Sequence, residues 1–156
     1  MVVLLHNIRS LHNVGSILRT ADAVGVEKLY LCGITPSPLD RLGVVRGDIA
    51  KTALGAEKKV AWEQVTSTSR LINKLKQEGF TIVALELDKR AVSLYDLDSR
   101  LRGKIVLIVG AEVEGIPQAV LKKCDTILEI PMVGSKESLN VAVAFGIAAF
   151  HLRYGR

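Results

Sequence analysis

Residues 105–117, IVLIVGAEVEGIP, give the clearest indication of the fold. Its first five residues are Ile, Val and Leu without polar alternation, which predicts a strand buried on both faces. Gly110 ends this strand, and two acids, a second glycine and a proline predict a tight turn before a helix. A strand covered on both faces belongs in a parallel sheet with helices on either side.

The same pattern recurs along the chain. Apolar runs predict further strands at residues 2–6, 29–32, 80–87 and 126–130. Helical spacing of apolar residues predicts helices at residues 13–24, from 66 or 67 to 77, from about 117, and at 139–154. Residues 33–51 predict a loop that leads into a polar segment. Because neither a repeat nor a linker interrupts the alternation, we expect one α/β domain over residues 1–156.

Composition excludes several classes of protein. The chain has 156 residues, of which 49% are hydrophobic and 24% charged, the balance of a globular protein. Two cysteines are too few for a disulfide framework or a cysteine zinc cluster. The sequence shows neither a bilayer-spanning stretch nor a signal peptide, so we expect a cytoplasmic protein. The net charge of +5 permits a nucleic-acid partner without requiring one.

The common nucleotide-binding motifs are missing from the sequence. The first strand leads into HNIRSLHNVG rather than a G-x-G-x-x-G turn, which disfavours the usual dinucleotide fold. Residues 110–115 match G-x-x-x-x-G, but Ile116 and Pro117 replace the Lys-Ser/Thr of a phosphate loop. His6, His12 and His151 lack the spacing of metal ligands, and we interpret them as structural.

Three segments of the sequence are informative. Two of them lie near the start and in the middle of the chain. The first contains Asn7-x-Arg9 and Asn13-x-Gly15-x-x-x-Arg19. Asn13 stands where a helix begins and can cap it. Arg19 lies off the apolar stripe, where it either pairs with an acid at the surface or holds a phosphate. The second segment is residues 105–117, in which a glycine at the strand end would let a flat ligand approach the main chain.

The third segment is EIPMVGSKESLNV, residues 129–141. A strand ends at Ile130, a loop follows, and a long apolar helix begins near Leu139. Ser138 is a natural N-cap, and capping alone would explain it. Asn140 falls inside the predicted apolar helix, where a polar amide needs a partner.

In their order and separations, these three segments resemble the SpoU/TrmH family of RNA ribose methyltransferases, in the SPOUT superfamily. The matches are N-x-R with N-x-G-x-x-x-R, then G-x-E-x-x-G, then IPM-x-G with SLN, and they cover nearly the whole chain. Val113 is one departure, because the family often has glycine after the acid.

The resemblance implies an α/β fold with a C-terminal trefoil knot that binds S-adenosylmethionine through backbone groups. The matching positions for this cofactor are Gly110, Ile130 and Leu139, with their neighbours Val109, Met132 and Val141. It also implies a homodimer, which the nearly all-apolar final helix favours because it needs burial on several sides; core packing within a monomer is the alternative. Since the motifs run from the start of the chain to its last helix, we expect no accessory RNA-binding domain.

The implied reaction is methyl transfer to a ribose 2′-hydroxyl without a metal. Arg19 matches the family's arginine, which either helps to remove the proton or positions the phosphate and hydroxyl. Polar residues expected to shape the site are Asn13, Glu112, Ser138 and Asn140. Basic residues expected to contact RNA phosphates are Arg9, Arg41, Arg46 and Lys51.

The resemblance to this family also leads to expectations about the substrate and about competing functions. We expect tRNA rather than rRNA as the substrate. A non-catalytic RNA-binding dimer with the same fold is the main alternative. Base methylation and a generic nucleotide-binding module are less consistent with these motifs.

Overall fold

Seven parallel strands form one sheet in the computed structural model, which describes residues 1–97, 101 and 103–155. The strand order is β3-β2-β1-β6-β4-β7-β5. The strands are β1 (Val2–His6), β2 (Lys28–Cys32), β3 (Trp62–Val65), β4 (Thr81–Leu85), β5 (Val92–Ser93), β6 (Ile105–Gly110) and β7 (Thr126–Glu129).

Helices cover both faces of the sheet. They are α1 (Leu11–Val24), α2 (Gly47–Ala53), α3 (Thr68–Gln77), α4 (Gln118–Leu121) and α5 (Val141–Tyr154). Alternate residues of β1 enter two separate cores: Val3 and Leu5 pack with α1 and α5, whereas Val2 and Leu4 pack with α3 and α4. The predicted parallel α/β architecture is therefore confirmed. Within the described residues, none of the helices has the length and apolar character needed to cross a membrane.

The parallel register brings the carboxyl ends of the central strands to one edge. His6 of β1 pairs with Cys32 of β2 and with Gly110 of β6. Leu85 of β4 pairs with Val109 and with Leu128 of β7. Ligands of open parallel sheets bind beyond this edge, and the loops that carry all three informative segments leave the sheet here.

Two predicted helix caps were wrong by a few residues. Helix α1 begins at Leu11, and Ser10 is its N-cap because the Ser10 hydroxyl accepts the Asn13 N–H at 3.2 Å. Helix α5 begins at Val141, and Asn140 is its N-cap because its Oδ1 accepts the Ala142 N–H at 2.9 Å. Asn13 therefore lies inside the first turn of α1, and Ser138 lies in the loop before α5.

The sequence analysis missed α2, β3 and β5, which are short or polar. The strand β3 lies at the edge of the sheet beside β2, and its exposed Glu63 and Gln64 break the apolar pattern. Helix α2 lies in the segment predicted to be polar and buries only Ile49 and Ala53. It packs so closely on α1 that a Cβ at Gly15 would collide with the Ile49 carbonyl at 2.5 Å, which explains the glycine of the first motif.

Candidate functional site

An open cleft lies beyond the carboxyl ends of β4, β6 and β7. The segment before α5 and the first turn of α5 close its other side. All six residues predicted to bind the cofactor line this cleft: Val109, Gly110, Ile130, Met132, Leu139 and Val141. Segments that are distant in sequence thus converge because parallel strands end at the same edge.

The cleft combines apolar walls, main-chain groups and carboxylates. Leu85, Leu139 and Val141 provide apolar surface, while Glu86, Glu129 and Glu137 line it with acids. Apolar walls with a few placed polar groups are typical of a small-molecule site. The described residues hold no group of three His, Cys, Asp or Glu side chains arranged to bind a metal.

Gly110 has a different structural reason from the one predicted. A Cβ at this position would lie 2.6 Å from the Ile116 side chain and 2.7 Å from the Gly115 main chain. The glycine is therefore required first because its own turn folds back over the end of β6. Gly110 still lines the cleft, so both requirements fall on one residue.

A chain of hydrogen bonds joins the three segments at the rim of the cleft. Asn140 donates its side-chain N–H to Oδ1 of Asn13 at 3.1 Å. Asn13 in turn donates through Nδ2 to the Glu112 carboxylate. Since Asn140 Oδ1 already accepts the Ala142 N–H, the orientation of both amides is fixed. Asn140 has the partner that the sequence required, and it lies at the start of α5 rather than within it.

The remaining two polar residues are placed differently. Ser138 lines the cleft next to Leu139. Arg19 is exposed on α1 and lines a second groove, together with Lys51, Thr52 and Phe150. Among the residues that the structure describes, no ion pair joins Arg19 to an acid. A single chain therefore brings together Asn13, Glu112, Ser138 and Asn140 but not Arg19, which is absent from the lining of the cleft.

The four basic residues predicted to contact RNA have unlike surroundings. Arg9 pairs with Glu114 at 2.9 Å, and Lys51 pairs with Asp48 at 3.3 Å. Arg46 is half-buried and donates through Nε to the Ser37 carbonyl at 3.1 Å, so it supports the loop before α2. Arg41 is exposed on that loop.

A polar network that runs from a buried histidine towards the surface supports the loop of the first segment. Asn7 has a left-handed φ of 58°, and its Oδ1 accepts the Ile34 N–H at 3.2 Å. Its Nδ2 lies 3.2 Å from Nε2 of His6, which must therefore accept the bond. Nδ1 of His6 consequently carries the proton and donates to the Thr68 hydroxyl at 2.9 Å. Burial lowers the pKa of His6, which agrees with a neutral, structural histidine.

Neither cysteine has the character of a nucleophile. Burial raises the pKa of the Cys32 thiol to about 11 and that of the Cys124 thiol to about 11. Both thiols are therefore protonated at neutral pH.

The sequence analysis missed Glu86, which follows β4 and lines the cleft. Its Oε2 accepts the Ile116 N–H at 2.8 Å, and its Oε1 accepts the Leu87 N–H at 2.9 Å. The position of Glu86 in the sequence could have indicated this placement, because an acid directly after a buried parallel strand stands at the edge of the sheet where ligands bind.

Comparison with known proteins identifies the family. The model of the SpoU rRNA Methylase family matches residues 1–150. The 23S rRNA (guanosine-2′-O-)-methyltransferase RlmB of Pseudomonas aeruginosa is 36% identical over 154 residues, which are 97% of this chain and 58% of that protein. The chain thus spans little more than half the length of this curated relative.

Two solved structures share the fold. The AdoMet-bound rRNA methyltransferase of Sinorhizobium meliloti has a TM-score of 0.86 at 28% identity, covering 97% of this chain and 54% of that one. The TrmH/SpoU tRNA modifying enzyme of A. aeolicus has a TM-score of 0.84 at 32% identity, covering 99% and 74%. The knot expected in this fold stays a prediction. The resemblance carried by the three segments is confirmed, and the chain belongs to the SpoU rRNA methylase family.

Proposed function

We propose that this chain transfers a methyl group from S-adenosylmethionine to a ribose 2′-hydroxyl of RNA. One observation carries the proposal: the three motif segments converge on a single cleft, where hydrogen bonds join Asn140, Asn13 and Glu112. The P. aeruginosa relative is named as a guanosine-2′-O-methyltransferase, and the S. meliloti structure has AdoMet bound. Both agree with this assignment.

The residues of the cleft fit this cofactor. The apolar side chains of Leu85, Leu139 and Val141 suit an adenine ring and a thioether chain. Main-chain groups at Gly110 and Ile130 suit its polar edge. The cofactor carries a positive sulfonium, and the carboxylates of the cleft favour a cation there. When bound, it supplies an electrophilic methyl group.

The chain's own residues must orient and activate the hydroxyl. A ribose hydroxyl is a weak nucleophile that needs help to lose its proton. The Asn140–Asn13–Glu112 hydrogen bonds hold a carboxylate at the rim of the cleft, where the substrate would enter. A guanidinium normally stays protonated and therefore cannot accept the proton. We assign Arg19 to binding the adjacent phosphate through two parallel hydrogen bonds.

We further propose that the protein acts as a homodimer and that a second copy supplies Arg19 to the cleft. Arg19 does not line the cleft of its own chain, which leaves that site incomplete. Phe150 of α5 lines the same groove as Arg19, and α5 also exposes Val143 and Tyr154. A second copy that covers these apolar side chains would bring arginine and cleft together.

Two classes of RNA, tRNA and rRNA, are candidate substrates. The expectation of tRNA gains no support from the P. aeruginosa relative, which is named for 23S rRNA. The A. aeolicus structure is of a tRNA modifying enzyme, so both classes have a precedent among similar proteins. We propose RNA ribose methylation for this chain and leave the class to a direct comparison of purified tRNA and rRNA. The alternative of a non-catalytic RNA-binding dimer is not favoured, because Arg19 and Asn140 are both present.

The test uses RNA purified from cells that lack the protein and AdoMet labelled on its methyl group. We expect label in 2′-O-methylated nucleosides after digestion, because the site is suited to a hydroxyl acceptor. A folded protein that binds both ligands without transferring label would instead support the non-catalytic alternative. Label confined to the bases would indicate the other chemistry of the superfamily.

A further inference from the structure

Glu86 connects two walls of the cleft. It follows β4, where Leu85 and Leu87 form one wall, and its side chain reaches the turn of residues 110–116 that forms the other. There Oε2 accepts the Ile116 N–H at 2.8 Å. The second oxygen, Oε1, accepts the Leu87 N–H at 2.9 Å, so each oxygen is held by a different wall.

The turn itself is shaped around this carboxylate. Gly115 has a left-handed φ of 63°, and its N–H donates to the Ala111 carbonyl at 2.9 Å. A Cβ at Gly115 would lie 2.5 Å from Oε2 of Glu86, closer than real contacts allow. The second glycine of G-x-E-x-x-G is thus needed both for its conformation and for the space that Glu86 occupies.

The position of the turn matters for binding and for chemistry. Gly110, Ala111 and Glu112 all line the cleft from this turn. Glu112 is also the acceptor for Asn13, so a shift of the turn would disturb the hydrogen bonds at the rim. Only Glu86 joins the end of β4 to this turn by a side-chain hydrogen bond among the interactions of the described residues.

We propose that Glu86 is a positioning residue that holds the turn of residues 110–116 in the shape that accepts S-adenosylmethionine. The inference rests on the proposed function and deepens it. Glu86 acts through the Ile116 N–H and through the space beside Gly115, so its effect reaches the cofactor through the turn.

The first test is Glu86→Gln, which keeps the size of the side chain. The amide places its NH2 group where one of the two carboxylate oxygens accepted, and this donor cannot bond to the N–H that faces it, so one wall is released. We expect the Kd for S-adenosylmethionine, measured by calorimetry, to rise about tenfold, since hydrogen bonds to charged groups are the stronger ones. The KM for the cofactor should rise equally, while the KM for RNA stays unchanged.

The matched control is Glu114→Gln on the same turn. Glu114 is exposed and pairs with Arg9 outside the cleft, so neutralising it should leave the cofactor Kd unchanged. Wild-type affinity in Glu86→Gln would overturn the inference, as would an equal loss in Glu114→Gln. Failure of the wild-type protein to bind S-adenosylmethionine would instead count against the proposed function.

A double-mutant cycle tests whether Glu86 works through the turn. Gly115→Ala alone should weaken cofactor binding, because alanine is strained at a φ of 63° and its Cβ would displace the Glu86 carboxylate from the Ile116 N–H. In a Glu86→Ala background the carboxylate is gone, so the same change should cost several-fold less. Losses that simply add would show that Glu86 and the turn at Gly115 act independently and would overturn the inference.

Discussion

The cofactor cleft and the groove of Arg19 differ in how the chain builds them. The cleft is formed where the ends of β4, β6 and β7 meet the segment before α5, so backbone geometry places its residues. The groove lies between α1, α2 and α5 and is lined by exposed side chains such as Arg19 and Lys51. A sheet edge gathers its residues within one chain, whereas a helix surface leaves them available to another molecule.

This difference divides the work of the proposed enzyme between two regions. The cleft should decide whether the cofactor binds, and the groove should decide whether the methyl group is transferred. Variants of Arg19 should therefore leave the cofactor Kd nearly unchanged, whereas variants of the cleft wall should raise the Kd and lower transfer only as cofactor binding is lost.

The largest effect is expected from Arg19→Ala. Loss of the guanidinium should reduce single-turnover methyl transfer by about 100-fold or more, since oriented charged donors have effects of this size. The Kd for S-adenosylmethionine should stay within about twofold of wild type because Arg19 does not line the cleft. Arg19→Lys should recover only part of the rate, because an ammonium cannot form the two-pronged contact.

A surface role for Arg19 predicts another pattern. An exposed ion pair contributes less than about 1 kcal/mol to stability, and its loss would leave turnover normal. Wild-type rates in Arg19→Ala, with an unchanged melting curve, would remove Arg19 from the mechanism and leave the family assignment standing.

The complementary change in the cleft is Leu139→Asp. Leu139 is 38% exposed, so the protein should fold, but the new carboxylate enters the apolar wall of the cleft. We expect cofactor binding to fall about 30-fold in calorimetry, in proportion to the lost burial of one leucine. The control is Leu42→Asp, at a residue that is 87% exposed and outside the cleft, which should bind normally.

Mixing the two variants, at a cofactor concentration too low to fill the Leu139→Asp cleft, tests whether arginine and cleft belong to different copies. A heterodimer of Arg19→Ala with Leu139→Asp contains one intact cleft opposite one intact arginine. If a second copy supplies Arg19, co-expressed and co-purified heterodimers should recover about half of the wild-type rate. Heterodimers as inactive as the two parents would show that arginine and cleft must belong to the same chain.

A smaller effect is expected from the basic residues predicted to contact RNA. Arg41→Gln should weaken RNA binding and reduce the slope of log K against log salt by about 0.7–0.9, as expected for one lost phosphate contact. Arg46 supports its loop through the Ser37 carbonyl, so Arg46→Gln should mainly lower the melting temperature. Equal slopes for Arg41→Gln and wild type would contradict an RNA contact.

The smallest effect is expected on the pH dependence of stability, through His6. This residue supports the loop of the first segment. Its folded pKa is lowered by burial, so below about pH 6.5 the unfolded chain binds a proton that the folded chain does not. Its contribution to stability is therefore complete above pH 6.5 and is lost as the pH falls. Urea unfolding between pH 5 and 7 should show this slope in wild type and in His12→Gln, and a weaker slope in His6→Gln.

The difference between the cleft and the groove of Arg19 also explains how well the sequence predicted each region. The six positions that the family resemblance implies line one cleft because the strands of a parallel sheet end at one edge, and their role in cofactor binding stays a prediction. The caps of α1 and α5 were misplaced because Ser10 and Asn13, like Ser138 and Asn140, are all residue types that cap helices. Only the backbone conformation distinguishes them.

Other features depended on packing that the sequence does not display. Helix α2 has two buried residues, too few to show a period, although its contact with α1 explains Gly15. Glu86 resembles any solvated acid after a strand until its bond to the Ile116 N–H is seen. The surroundings of Arg19 and Arg46 could not be predicted, because long exposed side chains take their partners from the tertiary fold.

Methyl transfer to RNA is the most direct test of the central claim that the cleft supports ribose methylation. The protein should be incubated with methyl-labelled S-adenosylmethionine and, separately, with unmodified tRNA and rRNA, followed by digestion and mass spectrometry of the nucleosides. We expect a 2′-O-methylated nucleoside from one of the two RNAs with wild type, and at most traces with Arg19→Ala. Transfer to a base, or no transfer by protein that binds both cofactor and RNA, would contradict it.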